Sequence, residues 1–201
     1  MNLDDITDVP IDATVILEQI DQALETKELT MLHNKTVSMF DLSILLSDLL
    51  DRRDIQDTIS RYSLGENSHQ GTDPGILQQW DETFSKDAQV DYSVAGGPVS
   101  SYRDLAKWMR GNGGTPGRLN AFSNWQHMLS LPIITLMGDK AIARTDFFAT
   151  YRGRADRGFN VHYNASGAFH DEMVRTPKGW RIRFRRLEVY FGDALPIGPC
   201  T

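Results

Sequence analysis

The sequence predicts an α+β domain in which helices pack on one face of a curved antiparallel sheet, preceded by a helical extension. Three observations predict it. In the first half of the chain, apolar residues recur at three- and four-residue steps, the mark of helical faces. From Asn124 onward the chain is rich in β-branched and aromatic residues, in stretches separated by short turn sequences. Helices therefore come first and a strand meander follows, which is the order of an α+β fold and not of alternating α/β units. With 201 residues, the chain is long enough for one domain with a core and an appendage.

The elements follow in order. Residues 1–10 are acidic and are read as frayed. Over 12–24, Ala13, Ile16, Leu17, Ile20 and Leu24 form one helical face. A second helix is predicted over 36–50, where Met39, Leu42, Leu45, Leu46, Leu49 and Leu50 repeat the pattern. These two make an extension over 1–50, and their apolar stripes require burial on the domain or on another subunit. The main domain spans 51–193 and a tail spans 194–201. Its first helix, over 51–64, faces inward through Ile55, Ile59, Tyr62 and Ser63, and Gly65 is read as its stop. After a polar loop, Asp73 is read as the cap of a helix that starts at Pro74 and carries Ile76, Leu77, Trp80 and Phe84. A strand over 88–94 and a short helix over 101–110 follow. Strands are then predicted over 124–136, 141–152, 159–175 and 180–190. Met137-Gly-Asp-Lys140 and Thr176-Pro-Lys-Gly179 serve as hairpin turns.

Composition narrows the function classes. A net charge of −6 disfavours a polyanionic partner, and no nucleic-acid role is expected. The late basic cluster Arg181, Arg183, Arg185 and Arg186 is read as a solvated sheet face. A lone cysteine, Cys200, excludes an internal disulfide and a thiolate-rich metal site, and favours a reducing compartment. The start of the chain has no positive region followed by an apolar run, and no stretch is apolar enough to span a membrane. A cytoplasmic location and no membrane association are expected. The sequons at Asn34 and Asn164 are read as chance matches.

His127 is the first candidate for chemistry. It lies on a predicted strand with Trp125 and Leu129 at two-residue spacing, so it shares an apolar face. Imidazole can take and give a proton near neutral pH. A phenol can likewise donate a hydrogen bond to a developing enolate oxygen. An apolar pocket is expected from Trp80, Tyr92, Trp108, Trp125, Phe147 or Phe148, and Phe169. Arg186 and Glu188 share a face and could orient a substrate or pair with each other. Asp146 is expected to point outward. His162 and His170 lack a third ligand, so no metal site is assigned. No dinucleotide, phosphate-loop, nucleophile-elbow or zinc-protease motif occurs, and no cofactor is expected. Gly111-Asn-Gly-Gly-Thr-Pro-Gly117 is read as a flexible lip over the pocket mouth.

Four stretches carry a resemblance to the SnoaL-like branch of the nuclear-transport-factor-2-like superfamily, and within it to the scytalone dehydratase-like family. They are Asp51-Arg-Arg-Asp-Ile-Gln-Asp-Thr-Ile-Ser-Arg-Tyr62, Trp80-Asp-Glu-Thr-Phe-Ser-Lys-Asp-Ala-Gln-Val-Asp-Tyr92, Trp125-Gln-His127, and the pair Ala143-Arg-Thr and Met173 to Leu187. The resemblance implies a cone-shaped domain. It matches His127 to the family's catalytic histidine and Tyr92 to a tyrosine that holds a water against the substrate carbonyl. Tyr151 falls where the family carries a second histidine. The family's mouth carboxylate maps to Asn67, beside Glu66, when counted from Tyr62, and to Asp73 when counted back from Phe84. The family's strand asparagine lines up with Phe169, so scytalone itself is not the expected substrate.

Together these readings predict a catalytic set of His127, Tyr92, Tyr151 and Asp73. Substrate contacts are expected from Tyr62, Glu66, Asn67, Trp80, Trp108, Trp125, Phe147, Phe169, Arg186 and Glu188. The expected activity is cofactor-independent dehydration, isomerisation or cyclisation of a hydrophobic polycyclic or phenolic intermediate, of polyketide or terpenoid type, by a homodimer or homotrimer. A non-catalytic binding module, or a structural subunit of a larger oxygenase-type complex with a plugged pocket, are the alternatives.

Overall fold

A stripe of inward-facing residues on one long helix organises the core. The computed structural model describes residues 39–70, 73 and 75–196. The helix read over 12–24, the acidic residues 1–10 and Cys200 lie outside these. The chain divides into two units, 1–45 and 46–201, and the second contains the sheet and everything that follows.

Helix α1 (Met39–Ser68) runs unbroken where the sequence suggested two helices, and it passes through Gly65. Gly65 is a packing residue, not a stop. A Cβ there would meet Trp80 Cδ1 and Nε1 at 3.3 Å. Ile55, Ile59, Tyr62 and Glu66 are all buried and step by four, three and four residues along one face. Leu46, Leu49 and Leu50, predicted to need burial, are exposed. The helix is stitched to the sheet at its middle: Asp54 Oδ2 accepts from the Trp180 backbone N–H at 2.8 Å, and Thr58 Oγ1 donates to the Trp180 carbonyl at 3.1 Å.

Helix α2 (Ile76–Asp81) is shorter than predicted and starts after Gly75, with no side-chain cap. Asp73 instead closes a turn, accepting from the Gly75 N–H at 2.8 Å. Strand β1 (Phe84–Asp91) leads through a short turn to β2 (Val99–Ser101) and helix α3 (Tyr102–Arg110). Ser101 caps α3, accepting from the Asp104 N–H at 3.2 Å, while the Asp104 carboxylate accepts from Ser100 and Ser101 at 2.6 and 2.7 Å. Removing this cap has a defined cost. Ser101→Ala is expected to destabilise the domain by about 1 kcal/mol, read as a lower urea midpoint at unchanged slope.

The glycine-rich segment forms a small hairpin, β3 (Gly111–Asn112) with β4 (Thr115–Pro116). The meander then comprises β5 (Phe122–Leu129), β6 (Ile133–Met137), β7 (Lys140–Gly153), β8 (Val161–Thr176) and β9 (Gly179–Pro196). One strand was predicted across 124–136, but Pro132 lies in the break between β5 and β6. Strand order in the main sheet is β2-β1-β9-β8-β7-β5, with β6 also on β7. All pairings are antiparallel except β1 with β9, which is parallel.

Strand alternation assigns the inner face. On β7, Ala141, Ala143, Thr145, Phe147 and Ala149 are buried while their neighbours are exposed. The same parity on β5 turns Trp125 and His127 inward. On β9 the parity changes. Trp180 and Ile182 are buried, a bulge inserts Arg183, and the inward residues then become Arg185 and Leu187. The late basic cluster is therefore not one solvated face. Arg185 is fully buried and makes a two-point pair with Asp171 on β8, at 2.6 and 2.7 Å. Its guanidinium lies 4.1 Å from the Tyr62 ring centre and 4.2 Å from that of Phe169.

Candidate active site

Strand β5 ends the sheet path, so one edge of its backbone has no strand partner. Two amides, Asn67 in the last turn of α1 and Gln70 just beyond it, take that place. Asn67 Oδ1 accepts from the His127 N–H at 2.8 Å and its Nδ2 donates to the His127 carbonyl at 3.1 Å. Gln70 treats Trp125 the same way, at 3.0 and 2.9 Å. Two side chains thus mimic a neighbouring strand and fix β5 against the helix end.

The last helical carbonyls have no partner within the helix. That of Glu66 accepts from Trp125 Nε1 at 2.9 Å and from Arg110 Nη2 at 3.2 Å. Arg110 lies over the Trp125 ring, 4.6 Å from its centre. A buried cation at a helix C-terminus also complements the helix dipole. These contacts hold the Glu66 side chain opposite His127.

His127 Nε2 lies 2.9 Å from Glu66 Oε2 and 3.0 Å from the Tyr151 hydroxyl. His127 Nδ1 lies 3.2 Å from Asn67 Oδ1. The backbone clamp orients the Asn67 amide, so its oxygen faces Nδ1 and Nδ1 carries a proton. Nε2, the other ring nitrogen, faces the Glu66 carboxyl and the Tyr151 hydroxyl. Burial opposes ionisation of Glu66, but the His127 ring and the Arg110 and Arg185 charges outweigh it and hold the carboxyl below its ordinary range.

A consequence for stability follows. A carboxylate whose folded pKa is depressed stabilises the fold above its unfolded value, about 4.3, and loses that contribution as pH falls through the folded value. The stability difference between the native chain and Glu66→Gln is therefore expected to shrink as pH is lowered from 6 towards 3, by about the whole charge-dependent part. Urea midpoints across that range test it, and a difference that does not change with pH contradicts it.

A cavity of about 250 Å³ opens against this group. Tyr62, Tyr92, Trp108, Phe122, Phe147, Tyr151, Phe159, Tyr163 and Phe169 supply its aromatic lining, with Glu66, His127 and Arg118 the charged or ionisable polar groups among them. The Tyr62 and Tyr92 hydroxyls share a hydrogen bond of 2.7 Å. Burial pushes both phenols up, as it does Tyr151, and the Glu66 charge adds to the effect. All three remain protonated donors at neutral pH.

Several predicted site residues fall elsewhere. Asp73 is exposed, pairs with His69 at 2.7 Å and does not line the cavity. Trp80 and Trp125 are core residues: Trp80 stacks on Tyr62 with centres 4.9 Å apart, and Trp125 serves Glu66. Asn67 bonds the His127 backbone and faces its ring Nδ1, and it does not line the cavity. Arg186 does not line the cavity, and Glu188 pairs with His170 at 2.7 Å on the sheet's other face. Phe147 faces in while Phe148 is exposed, and Asp146 points out to Arg144. The Gly111–Gly117 segment is a paired hairpin. Arg185, Asp171 and Arg110 were not foreseen. Among the described residues no group of three or more His, Cys, Asp or Glu side chains is placed to hold a metal ion. No helix there is long and apolar enough to cross a membrane.

With this geometry in place, the chain can be set beside known proteins. A family model described as a SnoaL-like domain matches residues 47–186. An uncharacterized protein of Mycobacterium tuberculosis is 29% identical over 152 residues, which are 75% of this chain and 93% of that one. The crystal structure of a hexachlorocyclohexane dehydrochlorinase (LinA, type 2) has a TM-score of 0.58 at 17% identity, covering 77% of this chain and 97% of that one. A provisionally assigned scytalone dehydratase from Novosphingobium aromaticivorans has a TM-score of 0.56 at 21% identity, covering 77% and 97%. The fold is that of the nuclear-transport-factor-2-like superfamily.

Proposed function

The chain belongs to the SnoaL-like domain family, and from that premise we propose that it catalyses cofactor-independent proton transfer at a carbon beside a carbonyl. Loss of water, a double-bond shift or ring closure is the outcome. The observation that carries the reading is His127 Nε2, held between Glu66 and Tyr151 on the wall of an aromatic cavity. In the base form Nε2 accepts the substrate proton, and the Glu66 carboxylate stabilises the imidazolium that results. Of the paired Tyr62 and Tyr92 hydroxyls one donates to the other, and the second donates its own hydrogen to the oxygen on which charge develops. The proton held at Nε2, or that of Tyr151, then returns to carbon or leaves with hydroxide as water. Every proton in the sequence comes from these groups or from the substrate.

Two solved structures with this fold bear the names of elimination enzymes, which supports the reaction class. The open cavity counts against a plugged, purely structural subunit. Its volume, about 250 Å³, is below the roughly 300–1,000 Å³ usual for drug-sized ligands. The polycyclic substrate expected from sequence is thereby narrowed to one ring or two fused rings.

The reading is tested in D2O with small cyclic ketones that carry acidic α-hydrogens, beginning with 2-tetralone. Proton NMR should show protein-dependent loss of the α-hydrogen signal. A panel of one- and two-ring ketones that all exchange at the buffer rate would sink it.

A further inference from the structure

Glu66 and His127 face each other within the cavity lining, 2.9 Å apart. Arg118 is the remaining charged residue of that lining, and among the described residues it has no ion-pair partner. It opens the single turn Arg118–Ala121, between the hairpin and β5. This turn is anchored on both sides. Gly117 lies so close to the end of α3 that a Cβ there would meet the Met109 carbonyl oxygen at 2.3 Å. The next residue, Leu119, is buried in the cavity wall. Arg118 itself is exposed, and it also borders an outer groove formed by Lys107, Trp108 and the hairpin. It therefore stands at the mouth, with the cavity's aromatic lining on one side and solvent on the other.

We propose that Arg118 is an anion-recognising, specificity-determining residue, and that the ligand is a one- or two-ring compound bearing a carboxylate. The ring fills the aromatic lining and the carboxylate meets the guanidinium at the mouth. Arginine's planar fork matches a carboxylate with two parallel hydrogen bonds. The chain carries a net charge of −6, so an anionic ligand is repelled at long range unless a local cation receives it. A buried arginine already engaged could not do this: Arg185 is held in its ion pair with Asp171, and Arg110 lies against the Glu66 carbonyl and the Trp125 ring. The placement of the reactive carbon at His127 rests on the proton-transfer reading; the recognition of the anion does not.

The test compares 2-naphthoate with its neutral isostere 2-naphthamide, by quenching of tryptophan fluorescence at physiological salt. The native chain should bind the acid about tenfold more tightly than the amide, the gain of one partly solvated charge-assisted contact. Arg118→Gln should abolish that preference and leave amide binding unchanged, and Arg118→Lys should retain part of it. Equal affinities in the native chain, a preference that survives in Arg118→Gln, or no binding of either compound at millimolar concentration overturns the proposal. The readout needs no turnover. A protein that prefers the acid yet exchanges no α-protons contradicts the proton-transfer reading alone, and one that exchanges protons without the preference contradicts this one alone.

Discussion

Replacing His127 is expected to lower the rate of α-proton exchange by about 10²–10⁴-fold, the usual contribution of a positioned acid–base group. Alanine removes the ring but leaves Glu66 buried opposite an empty space. The carboxylate then loses one of the partners that keep it ionised, and part of the fold's stability goes with it. His127→Gln separates these effects. Its amide can still donate to Glu66, while it cannot carry a proton from carbon. The backbone clamp from Asn67 does not involve the ring, so β5 keeps its place in both variants. The glutamine variant should therefore unfold cooperatively, near the native urea midpoint, and still lose exchange. Native-level exchange in a folded His127→Gln variant would remove His127 from the chemistry.

The second large effect concerns stability. Arg185→Met is expected to destabilise the domain by about 3–5 kcal/mol, because it leaves Asp171 fully buried with no counter-charge. For a domain of this size that corresponds to a melting shift on the order of 10 °C. The guanidinium also fills the space between Tyr62 and Phe169, whose rings line the cavity. Its loss should loosen the wall that carries the Tyr62 and Tyr92 hydroxyl pair. Removing both charges in Arg185→Met, Asp171→Leu should recover much of the stability, since the desolvation of two charges is then no longer required. Urea unfolding of the two variants checks this. A loss below about 1 kcal/mol in the single variant would mean that water reaches Asp171.

The helices-then-meander order was legible because periodicity changes from three and four to two along the chain. His127 was legible as a candidate because strand spacing and imidazole chemistry singled it out, whereas Tyr92 and Tyr151 were reached only through the family resemblance. Glu66 as the carboxylate opposite His127 was less legible. A glycine at 65 reads as a helix stop, yet here it marks the close approach of Trp80, and the helix continues for three more residues. The stripe Ile55, Ile59, Tyr62 extends to Glu66 by the same step, and that continuation was the available signal. Arg185 could not be read from alternation, because the bulge at Arg183 exchanges the two faces of β9. Asp73 was misplaced by the length of its loop, which no local pattern registers. Asn67 and Gln70 act on the backbone of a strand almost sixty residues away, and sequence spacing carries no trace of such a pairing.

In the proposed mechanism His127 Nε2 carries the proton while Nδ1 keeps its hydrogen towards Asn67. Nitrogen-15 NMR of the imidazole across pH tests it most directly. Nδ1 should keep its hydrogen throughout while Nε2 alone changes protonation, and this change should be disturbed in Glu66→Gln. A spectrum in which Nε2 holds the fixed hydrogen and Nδ1 changes, or one indifferent to Glu66→Gln, would contradict it.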